Sequence, residues 1–138
     1  MLEVTQFCVG LEHKPGMLAK LCETFRRANV NIDALCVSSD EDCCWVNLVG
    51  SPADAADHAL AGGGFKYVAE KVLALQVDNK PGALGRVASL LANAGININY
   101  IYGGGTEGSP CALIFSVDDQ ERARKVLGAA RQHELLTS

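Results

Sequence analysis

The chain repeats itself at an offset of 66 residues: Glu12-His13-Lys14-Pro15-Gly16-Met17-Leu18 lies over Asp78-Asn79-Lys80-Pro81-Gly82-Ala83-Leu84. At the same offset Ala28-Asn29-Val30-Asn31-Ile32 lies over Ala94-Gly95-Ile96-Asn97-Ile98. Chance supplies one Lys-Pro-Gly match. It does not readily supply a second match at identical spacing with the same apolar pattern between. A repeated supersecondary unit is therefore the first constraint on the fold. It divides the chain into a first unit, 1–70, and a second, 71–138.

Each copy reads in the same order. Phe7–Leu11 and Val72–Val77 are short apolar runs, hence strands. A helix then opens at Pro15 or Pro81, since proline suits the first helical position, where its missing N–H would be unpaired anyway. Leu18, Leu21, Cys22 and Phe25, and then Leu84, Val87, Ala88 and Leu91, follow the spacing of a helix with one buried face. Asn29 and Gly95 end these helices, because both tolerate the left-handed conformation of a C-terminal cap. Second strands follow at 30–37 and 96–102, and third strands at Trp45–Val49 and Cys111–Phe115. Second helices start at Ser51-Pro52-Ala53-Asp54 and Asp118-Asp119-Gln120-Glu121, each with a capping residue and a carboxylate three positions later. Phe65–Val68 reads as a fourth strand that runs on through Ala69-Glu70 into the first strand of the next unit. His133–Thr137 is the corresponding last strand. The order is βαββαβ, twice: an α+β fold of two ferredoxin-like units, each an antiparallel sheet with helices packed on one face. A lone unit of this size buries too little surface to be robust, so pairing is expected on stability grounds as well.

The net charge of −4 offers no field for nucleic acid or anionic membrane, and the basic residues are scattered. No apolar stretch is long enough to span a bilayer. The N-terminus lacks a basic and an apolar region, so no signal peptide is expected and a cytoplasmic location is. The six cysteines contain no C-x-x-C pair, which argues against a zinc or thioredoxin-like site. In a reducing compartment free thiols are the default, and Cys8, Cys22 and Cys36 fall in apolar patterns that read as buried. Cys43-Cys44 reads as a strand-entry loop.

The repeated loop carries the candidate chemistry. A helix N-terminus offers unpaired N–H groups and the positive end of the dipole, which suits a carboxylate. Gly16 and Gly82 lack a Cβ, so a ligand can approach the backbone there. Asn31 and Asn97, at the start of the second strands, are expected near the same mouth. An asparagine amide has both a donor and an acceptor and serves either end of a zwitterion. Met17 and Leu18, or Ala83 and Leu84, would enclose an apolar side chain. The bland readings stand beside these: the Pro-Gly pairs start helices in any case, the asparagines bond neighbouring backbone, and His13 is a solvated loop residue. His58 and His133 read as surface residues.

The pattern x-[HN]-K-P-G-x-L, followed by N-I, resembles the signature of the ACT domain, and both copies carry it. The resemblance implies a tandem ACT protein without a catalytic domain, binding an amino acid or a similarly small metabolite at an interface between two units and regulating a metabolic enzyme or transcription. It places the ligand at His13, Lys14, Pro15, Gly16, Met17, Leu18, Asn31 and Ile32 in the first copy. In the second it places it at Asn79, Lys80, Pro81, Gly82, Ala83, Leu84, Asn97 and Ile98. The family's loop asparagine corresponds to Asn79 and is replaced by His13 in the first copy. Serine-binding relatives add a histidine two residues before that asparagine. Leu11 and Val77 stand there, which argues against serine.

Gly103-Gly104-Gly105-Thr106-Glu107-Gly108 satisfies G-x-G-x-x-G in letters alone. The dinucleotide motif needs a helix next, and Ser109-Pro110 and a strand follow instead, so a hairpin loop is expected, with a lid over the ligand as one use. The cysteines have no histidine partner and no G-x-S-x-G elbow occurs, so neither an enzyme nor a metal or other cofactor is expected. Tyr100 and Tyr102 read as packing on a sheet face rather than a base-stacking platform. Two other readings remain beside the amino-acid sensor. One is a structural or regulatory subunit that binds only protein. The other resembles acylphosphatases, whose chemistry needs an arginine where Lys14 and Lys80 stand. Exposed strand edges make a homodimer an expected assembly.

Overall fold

A computed structural model describes residues 2–132. The elements run β1 (Leu2–Glu12), α1 (Met17–Arg27), β2 (Asn31–Ser39), β3 (Cys43–Ser51), α2 (Ala53–Gly62), β4 (Lys66–Val77), α3 (Ala83–Asn93), β5 (Ile98–Gly104), β6 (Cys111–Val117) and α4 (Gln120–Gln132). The fold is α+β, two ferredoxin-like units with antiparallel strands. The last strand expected at 133–137 lies outside the described residues. No helix among those described is long and apolar enough to cross a membrane.

The chain clusters into two compact units, one Thr5–Lys71 and the other from Val72 onward together with the start of β1 through Val4. The division falls inside β4, a single unbroken strand. In the first unit the strand order is β2-β3-β1, with the first half of β4 beside β1. Gln6 Nε2 donates to Glu70 Oε1 at 3.2 Å and Lys71 Nζ to Thr5 Oγ1 at 2.8 Å. Phe7 pairs with Leu48 and Val9 with Val46, and Leu35 and Val37 of β2 extend the same rows. These alternate residues put Phe7, Val9, Leu11, Val46 and Leu48 into one core with Leu21 and Phe25 of α1 and Ala56 and Leu60 of α2. Leu35 and Val37 lie beyond the helices on the edge strand and stay 40% and 42% exposed.

In the second unit the order is β5-β6-β4. Leu73, Leu75, Val77, Leu113, Phe115 and Val117 meet Val87 and Leu91 of α3 and Ala123 and Leu127 of α4. Glu3, from the start of β1, accepts from Gln120 Nε2 at 2.8 Å and lies 3.9 Å from Arg124 on α4.

Both first helices close in one way. Val30 N–H donates to Phe25 O and Asn29 N–H to Arg26 O; Ile96 N–H donates to Leu91 O and Gly95 N–H to Ala92 O. This is the paired closure of a left-handed C-terminal cap, with its apolar contact between Val30 and Phe25, or Ile96 and Leu91. Asn29 has φ 56° and Gly95 φ 71°, as the sequence predicts.

The helix starts differ from expectation. Gly16 and Gly82, both at φ 90°, ψ −12°, are the N-caps, so the prolines sit in the preceding turn. A left-handed residue cannot continue a right-handed helix, which therefore begins one residue later. Pro52, not Ser51, is the N-cap of α2. At α4 it is Asp119 whose Oδ1 accepts the Arg122 N–H at 3.1 Å. The cysteines also redistribute. Cys44 is buried, Cys22 is exposed, and Cys8 and Cys36 are intermediate. The stripe on α1 is narrow enough that only Leu21 and Phe25 are covered. Burial, and then the charge of Glu70, raises the Cys8 thiol above its ordinary pKa.

A Cβ on Gly95 would meet nothing within 4 Å, so Gly95→Ala carries only the conformational cost. It should lower unfolding free energy by about 1 kcal/mol in urea titration. On α1, hydrogen bonds from Arg26, and then Arg27, lower the Glu23 carboxyl from 4.5 to about 2. That stabilisation is complete above pH 4.5 and fades as pH falls toward 2. Glu23→Gln should flatten the acid limb of the Tm–pH curve in that window.

Candidate functional site

The two β-α loops build the same mouth twice. In each, the glycine carbonyl accepts the first bond of the helix, Lys20 N–H to Gly16 O and Arg86 N–H to Gly82 O, both at 3.0 Å. Neither helix has a side-chain cap or an acidic residue in its first turn. The amides there retain the positive dipole end without a resident carboxylate. Pro15, Pro81, Gly16 and Gly82 are exposed, as are His13, Lys14, Asn79 and Lys80. Leu18 and Leu84, in the first turns, are 37% and 49% exposed. Met17 and Ile32, and likewise Ala83 and Ile98, are half-buried against the core of their own unit. The apolar rim of each mouth is thus the leucine.

The strand asparagines do not reach the mouth of their own unit, contrary to the expectation from topology. Glu12, beside the mouth, pairs with Cys43, whereas Asn31 pairs with Ser51. Eight steps along β3 separate those partners, roughly 26 Å. In the second unit Val77 pairs with Cys111 but Ile98 with Val117. A helix between two parallel strands returns the chain to the opposite end of the sheet, and that end receives Asn31 and Asn97. There Asn31 Nδ2 donates to Asp33 Oδ1 at 2.7 Å. The Asn97 N–H donates to Asp118 Oδ1 at 3.0 Å, and the Asp118 N–H returns to Asn97 O at 3.1 Å.

What does lie beside each mouth is a hairpin. His13 N–H donates to Asp42 O at 3.2 Å, and Asn79 Nδ2 donates to Thr106 O at 2.9 Å. The glycine run 103–108 closes the β5–β6 hairpin, in agreement with the sequence reading. Each loop lysine turns back to the acid two residues upstream, Lys14 to Glu12 at 3.0 Å and Lys80 to Asp78 at 3.3 Å. The hydrogen bond and charge of Lys14 lower the Glu12 carboxyl below its ordinary pKa.

The fold, the doubled loop and its repeated glycine geometry correspond to a known family. Residues 2–134 match the sequence pattern of the ACT domain pair. This chain belongs to that family. Of solved structures, a protein from Bacteroides thetaiotaomicron superposes on it with a TM-score of 0.88 at 26% identity, over 94% of this chain and 89% of that one. The ligand-free regulatory subunit of aspartate kinase from Thermus thermophilus gives 0.67 at 18% identity, over 94% and 93%. E. coli aspartokinase III, in complex with lysine and aspartate, gives 0.54 at 21% identity, over 99% of this chain and 32% of that one. The latter two show shared fold. None of the curated proteins matches the chain.

Within this ACT pair, no group of three or more His, Cys, Asp or Glu among the described residues is placed to hold a metal ion. Three features escaped the sequence reading: the Thr106 carbonyl under Asn79, the Asp118 clasp on Asn97, and the Glu12–Lys14 and Asp78–Lys80 pairs. The acid-lysine pairs were visible at the repeat offset. The tandem Asp118-Asp119 was visible too, but not its division into a clasp and a cap. Asp118→Ala should cost about 1 kcal/mol of stability and speed hydrogen exchange at the Asn97 amide, measured by NMR.

Proposed function

We propose that this ACT pair is a non-catalytic regulatory protein that binds a free amino acid or similar small zwitterion and signals its presence to a partner metabolic enzyme in the cytoplasm. The observation carrying this reading is the pair of identical mouths. At both, a left-handed glycine at φ 90°, ψ −12° opens a helix with no side-chain cap and no acid in its first turn. Such a terminus attracts a carboxylate. Leu18 and Leu84 beside it supply apolar contact. His13, Lys14, Pro15, Gly16, Met17 and Leu18 would line the first mouth, and Asn79 through Leu84 the second.

Asn31-Ile32 and Asn97-Ile98 stand at the far end of their own units. For them to touch the same ligand they must come from a different ACT unit than the mouth, which a second copy of the chain supplies. That requirement supports a ligand held between two copies of the chain and makes a homodimer part of the proposal.

One observation favours a second reading, a subunit that acts only through protein contacts. The Asn79 and Asn31 amides are already engaged, by Thr106 O and Asp33 Oδ1. Thermal unfolding against millimolar amino acids separates the two, starting with lysine and aspartate, the ligands of the E. coli neighbour. A ligand at 100 times its Kd adds about 2.7 kcal/mol to stability, a rise of several degrees in Tm for a chain of this size. At least one amino acid should produce that rise, and Asn79→Ala combined with Asn97→Ala should diminish it. A flat response across the panel would leave the protein-only subunit as the better account.

A further inference from the structure

The hairpins beside the two mouths are fastened by different chemistry. In the first unit the connection is short: Asp40 N–H donates to Cys43 O at 3.0 Å and Cys43 N–H to Asp40 Oδ1 at 3.2 Å. Its tie to the mouth is main chain to main chain, His13 N–H to Asp42 O at 3.2 Å. No side chain at position 13 is needed for that bond. In the second unit the connection between β5 and β6 is longer, and its tie is a side chain, Asn79 Nδ2 to Thr106 O at 2.9 Å. The same carbonyl accepts the Ser109 N–H at 3.0 Å, so one oxygen gathers both the turn and the tie. The turn needs residues without side chains. A Cβ on Gly105 would approach Pro110 O to 2.9 Å, and Gly108 has φ 83°. Residues 103–110 are otherwise exposed.

We propose that the hairpin 105–110 is a releasable strap whose catch is the Asn79 amide, and that a carboxylate-bearing ligand at the second mouth draws the amide from Thr106 and frees the strap. A carboxylate is a stronger acceptor than a neutral carbonyl, and at a helix N-terminus it arrives within reach of that side chain. At the same place the first unit shows a main-chain tie, His13 N–H to Asp42 O, which a ligand does not draw away through a side chain, so the strap is proposed for the second mouth. The release rests on the amino-acid reading above; the catch does not.

Backbone amide exchange on the full chain, followed by NMR, tests both. Without ligand, Asn79→Ala and Asn79→Asp should speed exchange at Ser109 by about tenfold, while protection at Leu113–Phe115 reports that each variant is folded. Wild-type exchange at Ser109 in both folded variants overturns the catch. With L-lysine or L-aspartate on the wild type, shifted Gly82–Leu84 resonances should come with Ser109 exchange at the Asn79→Ala rate. Shifted resonances with Ser109 unchanged mean that the amide serves ligand and strap together, and overturn the release. If no amino acid shifts Gly82–Leu84, the amino-acid reading falls and the release with it, while the two variants still decide the catch.

Discussion

A helix that joins two parallel strands of one sheet must carry the chain back to the end at which the first strand began. In both units of this protein that constraint decides what the conserved spacing of the repeat means in space. The loop that opens α1 or α3 lies at one end of the strands, and the residues that follow the helix lie at the other. The helix itself, 11 residues in each copy, spans about 16 Å. Two motifs that look like neighbours along the chain are thereby separated by the length of the sheet. A ligand at the mouth therefore cannot touch both motifs of one unit.

Much of this was legible in the residues. The two copies, their order of elements through α4, the left-handed closures at Asn29 and Gly95, the run of β4 from one unit into the next, and the hairpin at Gly103–Gly108 all follow from local chemistry. Glycine, proline and asparagine have few conformations to choose among, and an apolar period has one face. The failures have equally local causes. Proline tolerates the first place of each helix, but the glycine behind it is left-handed and moves the start to Met17 or Ala83. Cys22 has the spacing of a buried residue, yet periodicity gives the side of a helix that faces inward and not how far the cover extends. Cys44 is buried because it alternates with Val46 and Leu48 on the core face of β3, which begins at Cys43 rather than at Trp45.

The candidate site was half legible. The helix mouths are where the spacing puts them, with their leucines open to solvent. Asn79 and His13 occupy equivalent positions, and each position is tied to the neighbouring hairpin, once through a side chain and once through the main chain. Equivalence of position therefore survived while the bond that uses it changed. Asn31 and Asn97 follow the mouth closely along the chain but lie at the other end of the strands, because strand direction and not chain proximity sets their place.

The unbroken β4 bears on how such a chain tolerates insertion. Tyr67, in its first half, packs against the core of the first unit, and Leu73, Leu75 and Val77, in its second half, belong to the core of the second. Side chains along a strand alternate sides, so one residue added between Leu73 and Val77 would turn part of the second set outward, whereas two would restore the phase. Within each half the strand counts in pairs, and length variation is better absorbed in the loops than in the strand.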